Sequence, residues 1–259
     1  MDYQNLNLEI SKEHVGCITL QRPEQLNTFN TPMARELNQA LQEMDQDTQV
    51  RVVLLKGAGK VFCAGIDLGE FHGKSPMQYR EWIEDMERPI FTISRMNKPV
   101  IAQVHGVAAA NGAGLAAAAD LTLAAEDARI GLTAINVGLN CVGPVIPVRR
   151  CLGRKKALEL LYFGELIPAA QAQELGLFNK VVPGEELEQE ANNWAAALAQ
   201  KSPLALQNAK RAFYCAEDME YDKAIQFMNE AFSRLCTTQD ACEGIAAFKE
   251  KRQPQWQEK

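Results

Sequence analysis

Two segments of this chain carry residues that could do chemistry through the backbone. The first is Phe62-Cys63-Ala64-Gly65-Ile66-Asp67-Leu68. A glycine in such a turn lets the chain bend and leaves neighbouring N–H groups free to point at a ligand. The second is His105-Gly106-Val107-Ala108-Ala109-Ala110-Asn111-Gly112-Ala113-Gly114-Leu115. It reads as the end of a strand opening into a helix. Free N–H groups at a helix start, with the helix dipole behind them, attract negative charge. Small side chains there let a ligand come close to the backbone. Taken singly, an ordinary turn accounts for the first segment and a tightly packed Ala/Gly helix for the second. Taken together they are more specific, because each follows directly on a buried strand.

Other reactive side chains read as structural. Cys141 has no histidine near it in sequence, so a small core residue fits better than a nucleophile. His72 reads as a surface-loop residue, with a pocket-facing position as the alternative. His105, at a strand end, is expected to make a structural hydrogen bond. Asp67 suits a turn better than acid–base work, and Asp120 is placed to fix local backbone. The seven cysteines are scattered and form no Cys-x-x-Cys pair. Neither a disulfide framework nor a zinc site is expected, and a reducing compartment fits. No Gly-x-Gly-x-x-Gly or P-loop pattern appears, and no metal or redox cofactor is expected.

The elements that must position these residues follow from the hydrophobic pattern. Leu6 to Ile10 alternates as a half-buried strand, and His14 to Gln21 reads as its antiparallel partner. Thr31 is expected to cap a helix whose first position is Pro32 and whose buried stripe is Leu37, Leu41 and Met44. Arg51 to Lys56 and Pro99 to Val104 are short buried strands, and Pro76 to Met96 is a long helix. Gly112 to Ala119 is a small-residue helix, followed by a strand at Leu121 to Ala124. Helices surround Gly153 and follow Pro168, and Phe178 to Val182 is a late strand. This alternation argues for an α/β architecture. From Glu185 onward the pattern is almost all helix. Tyr221, Ala224, Ile225, Met228, Ala231, Phe232 and Leu235 share one face, which must be covered by the chain itself or by another subunit.

Composition narrows the functional classes. The chain has 259 residues, is 47% hydrophobic and 23% charged, and carries a formal net charge of −6. That suits one large domain or a domain with an appendage. A nucleic-acid binder usually carries the opposite sign. Arg149, Arg150, Arg154, Lys155 and Lys156 cluster locally. They read as a solvated helix start, with a phosphate-bearing ligand as the alternative. The N-terminus lacks an apolar secretion core. The stretch from Val107 to Ala125 is too rich in alanine, and too interrupted by Asp120, to cross a membrane. A cytoplasmic protein is the expectation.

The order of motifs resembles the enoyl-CoA hydratase/isomerase (crotonase) family over nearly the whole chain. Gln21-Arg22-Pro23-Glu24-Gln25-Leu26-Asn27 is similar to the family's N-R-P-x-x-x-N segment, and Asn97 to Ala102 to its K-P-x-I-A strand. Ala169 to Val182 is similar to A-x-x-A-x-x-x-G-L-V-x-x-V-V, and Gly244 to Trp256 to the closing G-x-x-A-F-x-E-K-R-x-P-x-F. The resemblance implies a spiral of repeated ββα units over residues 1–200. It also implies a helical region over 201–259 that mediates homotrimers or homohexamers. The implied substrates are acyl-CoA thioesters, with coenzyme A as part of the substrate. Their carbonyl oxygen would be gripped by two backbone N–H groups, matched here to Ala64 and Asn111. Contacts to coenzyme A are implied for Glu24, Gln25, Leu26, Ala64, Gly65, Ile66, Asp67 and Leu68. Phe248 and Lys251 are implied to reach its nucleotide.

The sequence departs from the family where the hydratases keep two glutamates. The matching positions are Gly114 and Ala134, and neither can accept a proton. General acid–base groups contribute about 10²–10⁴-fold each, so ordinary hydration is not expected. Thr133-Ala134-Ile135-Asn136-Val137-Gly138 resembles the T-P-x-N-x-G segment of the methylmalonyl-CoA decarboxylase branch. It also resembles divergent hydratase-domain proteins carrying I-N-V-G-L-x-C. Three readings follow: enolate chemistry on an acyl-CoA, decarboxylation of a malonyl-type CoA, and a non-catalytic acyl-CoA-binding protein.

Overall fold

The structure, a computed structural model, describes residues 3–259. The chain opens with an antiparallel pair, β1 (Leu6–Ile10) and β2 (Val15–Leu20), followed by helix α1 (Thr31–Gln46). Then come β3 (Val52–Gly57), α2 (Pro76–Arg95), β4 (Val100–Val104), β5 (Val107–Ala109) and α3 (Asn111–Ala118). Next are β6 (Leu121–Ala125), β7 (Arg129–Gly131), α4 (Val145–Phe163), β8 (Ile167–Pro168), α5 (Ala169–Glu174) and β9 (Lys180–Val182). Four helices close the chain: α6 (Leu187–Ala199), α7 (Pro203–Ala216), α8 (Tyr221–Leu235) and α9 (Gln239–Glu250).

Successive turns of the chain share one plan. β4, β5 and α3 form one turn of it, and β6, β7 and α4 the next. The first strand of each joins a large sheet of order β1-β2-β3-β4-β6-β9, parallel from β2 onward. The second joins a small sheet of order β5-β7-β8. In the turn that begins with β3, Cys63 supplies the second position, bridging Ala108 of β5. This is the expected spiral of ββα units.

The central strands β3, β4 and β6 are buried on both faces, which explains their apolar runs. Val53 and Leu55 face the core under α1 and α2, whereas Val52 and Leu54 face α6 through Leu187, Ala191 and Ala195. Several element ends fall a residue or two from expectation, and β5, β7 and β8 are too short to have shown a period. The cap of α1 differs. Asn30, not Thr31, accepts the N–H of Met33, and Pro32 stands second in the helix. Thr31 instead donates to Glu70 through both its N–H and its hydroxyl. The helix of residues 145–163 is broken at Gly153, whose φ is +73°.

α2 matters most to the site. Ser75 accepts from the Gln78 N–H while Gln78 accepts from the Ser75 N–H, a capping box that fixes the start of the helix, and Pro76 holds its first position. Trp82, Met86, Ile90 and Ile93 recur at helical spacing and are buried.

Candidate active site

Two backbone turns meet at the mouth of β3 and the start of α3. The Cys63 N–H donates to the Val107 carbonyl at 3.0 Å, and the Ala109 N–H returns a bond to the Cys63 carbonyl at 2.9 Å. A Cβ placed on Gly112 would lie 2.2 Å from the Cys63 carbonyl oxygen, so only glycine lets α3 start this close to the first turn. Gly65, at φ +111°, lies against Ala110 in the same way. Ala110 itself takes φ 49° and ψ −112°, a conformation that costs a non-glycine residue about 1–3 kcal/mol. Its N–H donates to the Gly131 carbonyl at 2.9 Å, which holds it there.

The amide of Ala64, expected to be free, is not. It donates to the Leu26 carbonyl at 3.0 Å. Leu26 and Asn27 both have positive φ, and the buried Asn27 side chain clamps that loop onto the Ala58 and Val61 carbonyls at 2.8 and 2.9 Å. The loop is therefore held where its carbonyl takes up the Ala64 N–H. Two residues on, Phe29 N–H donates to the Gly65 carbonyl and Asp67 N–H to the Phe29 carbonyl, at 2.8 and 2.7 Å. Between these bonds the N–H of Ile66 has no acceptor among the described residues. The N–H of Asn111, first residue of α3, likewise has none. The acceptor-free pair is thus Ile66 and Asn111, and Ala64 is corrected to a bonded position.

Both residues line a cavity of about 790 Å³. Its apolar wall comes from the segment before and within α2. Phe71, Tyr79 and Trp82 pack as an aromatic cluster, with Phe71 and Tyr79 centroids 5.0 Å apart. Trp82 Nε1 is anchored on Glu70 at 3.1 Å. The opposite wall is the segment from Thr133 to Pro144. The Asn111 side chain is occupied, donating to the Met86 carbonyl at 3.1 Å.

The Enoyl-CoA hydratase/isomerase family model matches residues 11–259. The chain belongs to that family. Enoyl-CoA hydratase domain-containing protein 3, mitochondrial, of Rattus norvegicus is 32% identical over 240 residues, spanning 92% of this chain and 80% of that protein. Among solved structures, enoyl-CoA hydratase of Mycobacterium smegmatis superposes with a TM-score of 0.94 at 35% identity, covering 97% of this chain and 98% of that one. Human enoyl coenzyme A hydratase domain-containing protein 3 gives 0.91 at 30% identity, covering 98% and 100%.

The positions that the sequence resemblance matched to the hydratase glutamates are Gly114 and Ala134. At Gly114 a Cβ would fall 2.6 Å from Ile90 Cδ1 and 2.9 Å from Pro144 Cβ, so the space a longer side chain would need is filled. Ala134 lines the cavity beside Thr133, Asn136 and Cys141. Asn136 is occupied, donating to the Gly164 carbonyl at 2.9 Å. Burial pushes the Cys141 thiol above its ordinary range, which suits a core residue rather than a nucleophile. His72 is exposed and lies outside the cavity lining, and His105 bonds the Gly59 carbonyl at 3.0 Å.

Of the other expected contact residues, Ile66 and Leu68 reach the cavity lining. Asp67 is held by Arg22 at 2.9 Å and accepts the Gly69 N–H at 3.0 Å, so it locks the turn. Glu24, Gln25 and Leu26 lie in the loop that Asn27 clamps, with Leu26 exposed. Phe248 and Lys251, at the end of α9, are not part of this cavity wall. Sequence reasoning missed Glu87, which lines the cavity from α2 with its carboxyl packed against Gly143. Ile83, Glu87 and Ile90 lie in one row at helical spacing. A carboxylate in an otherwise apolar row was the signal that could have found it.

Proposed function

We propose that this chain acts on acyl-CoA thioesters by stabilising the enolate of the thioester. The carbonyl oxygen would accept from the N–H groups of Ile66 and Asn111. One observation carries this reading: two backbone donors without acceptors among the described residues, on separate turns packed against each other, line one largely apolar cavity. Preorganised donors in a dry site are worth about 2.7–4 kcal/mol each when negative charge develops on the oxygen they bind. The acyl chain would lie along Phe71, Tyr79 and Trp82. Ala64, Gly65 and Leu68, with Glu24, Gln25 and Leu26, would flank the coenzyme A moiety. Assembly into a homotrimer or homohexamer is part of the reading, supported by the exposed apolar residues of α8 and α9.

The decisive measurement uses an acyl-CoA labelled with ¹³C at the thioester carbonyl. Bound to the protein, its resonance is expected to move downfield as both donors polarise it. A tight complex whose carbonyl resonance stays at its free position would remove the oxyanion hole. Crotonyl-CoA is expected to show little or no water addition, because neither hydratase glutamate is present.

Decarboxylation of a malonyl-type CoA has one observation in its favour: it needs no base, and neither residue 114 nor 134 offers one. Against it, the Glu87 carboxylate would repel a second carboxylate in the same cavity. Release of CO₂ from methylmalonyl-CoA would reverse that ranking.

A further inference from the structure

We infer that Glu87 is the proton-transferring residue of this site, and that the site moves a proton between carbons of one acyl-CoA rather than adding water. The inference rests on the oxyanion-hole reading above and deepens it. Four observations place the carboxyl. Glu87 is the next residue after Met86, whose carbonyl accepts the side chain of Asn111, so the α2 backbone is tied directly to the second oxyanion donor. It lies one helical turn before Ile90, which fills the space in front of Gly114 together with Pro144. Its carboxyl lies directly against Gly143, the residue before that proline, where a Cβ would fall 1.9 Å from Glu87 Oε1. It also lines the wall of the 790 Å³ cavity that holds Ile66 and Asn111.

A glutamate on α2 therefore enters the cavity beside the position where the family resemblance put the first glutamate, but from another element. The carboxyl is half-buried, and desolvation raises its pKa above the ordinary glutamate range, as suits a group that must both take and return a proton. With Gly114 and Ala134 on α3 and the facing loop, no second carboxylate from those positions assists it. Adding water across a double bond asks for one group to activate the water and one to protonate carbon. A 1,3-proton shift asks for a single group that does both in turn.

The step balances without a further reactant. The Glu87 carboxylate takes a proton from Cα of a 3-enoyl thioester. The C–H electron pair forms the Cα–C(O) π bond, and the carbonyl π pair moves onto oxygen, where Ile66 and Asn111 hold it. When the dienolate collapses, the oxygen pair re-forms the carbonyl, the Cα–C(O) π pair becomes the Cα–Cβ double bond, and the Cβ–Cγ π pair becomes the new bond from Cγ to hydrogen. Cγ takes the proton from the Glu87 carboxyl, and a 2-enoyl thioester leaves. With a saturated acyl-CoA only the first half operates, and the proton returns to Cα.

The test uses the protein and its Glu87→Gln variant, which keeps the size and shape of the side chain beside Gly143. A saturated acyl-CoA is held in D₂O, and loss of the Cα protons is followed by NMR. A 3-enoyl-CoA is offered in parallel, and formation of the conjugated thioester is followed by absorbance. Binding of the saturated thioester is measured by calorimetry. Wild type is expected to exchange and isomerise, and Glu87→Gln to lose about 10²–10⁴-fold in both rates with its affinity unchanged. Equal rates in wild type and variant would overturn the assignment of Glu87 while leaving the oxyanion hole intact. A wild type that binds the thioester but never exchanges would overturn proton transfer altogether. A wild type that binds no acyl-CoA would instead sink the reading on which this one rests. Should the Gln variant lose its cooperative melt, Glu87→Asp carries the test. Its carboxyl is one methylene short, so both rates should fall while affinity holds, and unchanged rates would overturn the proposal.

Discussion

At the scale of single residues, the site depends on which backbone atoms can approach which. Gly112 is the clearest case, because its missing Cβ is what leaves room for the Cys63 carbonyl. Gly112→Ala should force the two turns apart. A displacement of about 1 Å at a reacting centre can cost about 10²-fold in rate. The variant is therefore expected to lose turnover of its acyl-CoA by about that factor, measured as kcat/KM, with a lower melting temperature. Asp67 gives a pH prediction. The Arg22 guanidinium hydrogen-bonded to it holds its carboxyl below the usual carboxylate range. Its folded value is thus lower than its unfolded value, near ~4. The stability it contributes is complete above the unfolded value and is lost as pH falls through the folded one. Wild type should melt above Asp67→Asn at neutral pH, and the gap should close as pH drops below about 4. A gap that stays constant into acid would show that the pairing contributes nothing.

At the scale of elements, α7 is tied to the sheet by a buried ion pair that also serves a strand start. Lys210 Nζ lies 2.7 Å from Asp120 and 2.9 Å from the Lys98 carbonyl, while Asp120 accepts the Val100 N–H at 2.7 Å and the Tyr214 hydroxyl at 3.1 Å. Asp120 thus fixes backbone as the sequence indicated. It does so as the hub between β4, β6 and α7, which sequence separation concealed. Removing only the cation leaves a buried carboxylate uncompensated, a loss of about 3–5 kcal/mol. Lys210→Met should therefore lower the denaturation midpoint sharply. Adding Asp120→Asn should recover part of the loss, because the remaining hydrogen bonds no longer surround a bare charge. If the double variant is less stable than the single one by the full cost of a second deletion, the pair is not coupled.

At the scale of the whole molecule, the C-terminal helices leave apolar side chains in solvent. Tyr221, Ile225, Met228 and Phe232 are 79%, 46%, 39% and 66% exposed along one side of α8, a patch larger than scattered surface residues explain. The expected outcome of light scattering after size-exclusion chromatography is the mass of a trimer or hexamer. Ile225→Asp with Phe232→Asp should shift the population toward monomer. A wild type that elutes as a stable monomer would remove the assembly from the functional reading.

The strand and helix order and the glycine turns were legible from residue types alone, and the family resemblance pointed to Gly114 and Ala134 as the positions lacking the hydratase glutamates. Each depends on a local period, a short spacing or an identity. Buried strands announce themselves as apolar runs, and a glycine cannot carry a proton whatever surrounds it. The short strands β5, β7 and β8 escaped because two or three residues set no period. Which amide is free was not legible, because it depends on a carbonyl from a distant loop: Leu26 takes up the Ala64 N–H, and Ile66 is left without an acceptor among the described residues. Nor was the entry of Glu87 into the cavity legible, since it comes to lie against Gly143 and to share a cavity with Asn111 only after α2, α3 and the 139–144 segment pack together. Local sequence determined the elements and the chemistry excluded at two positions. Only the packed chain decided which donors and which carboxyl share one space, because hydrogen-bond satisfaction and desolvation are set by neighbours far away in sequence.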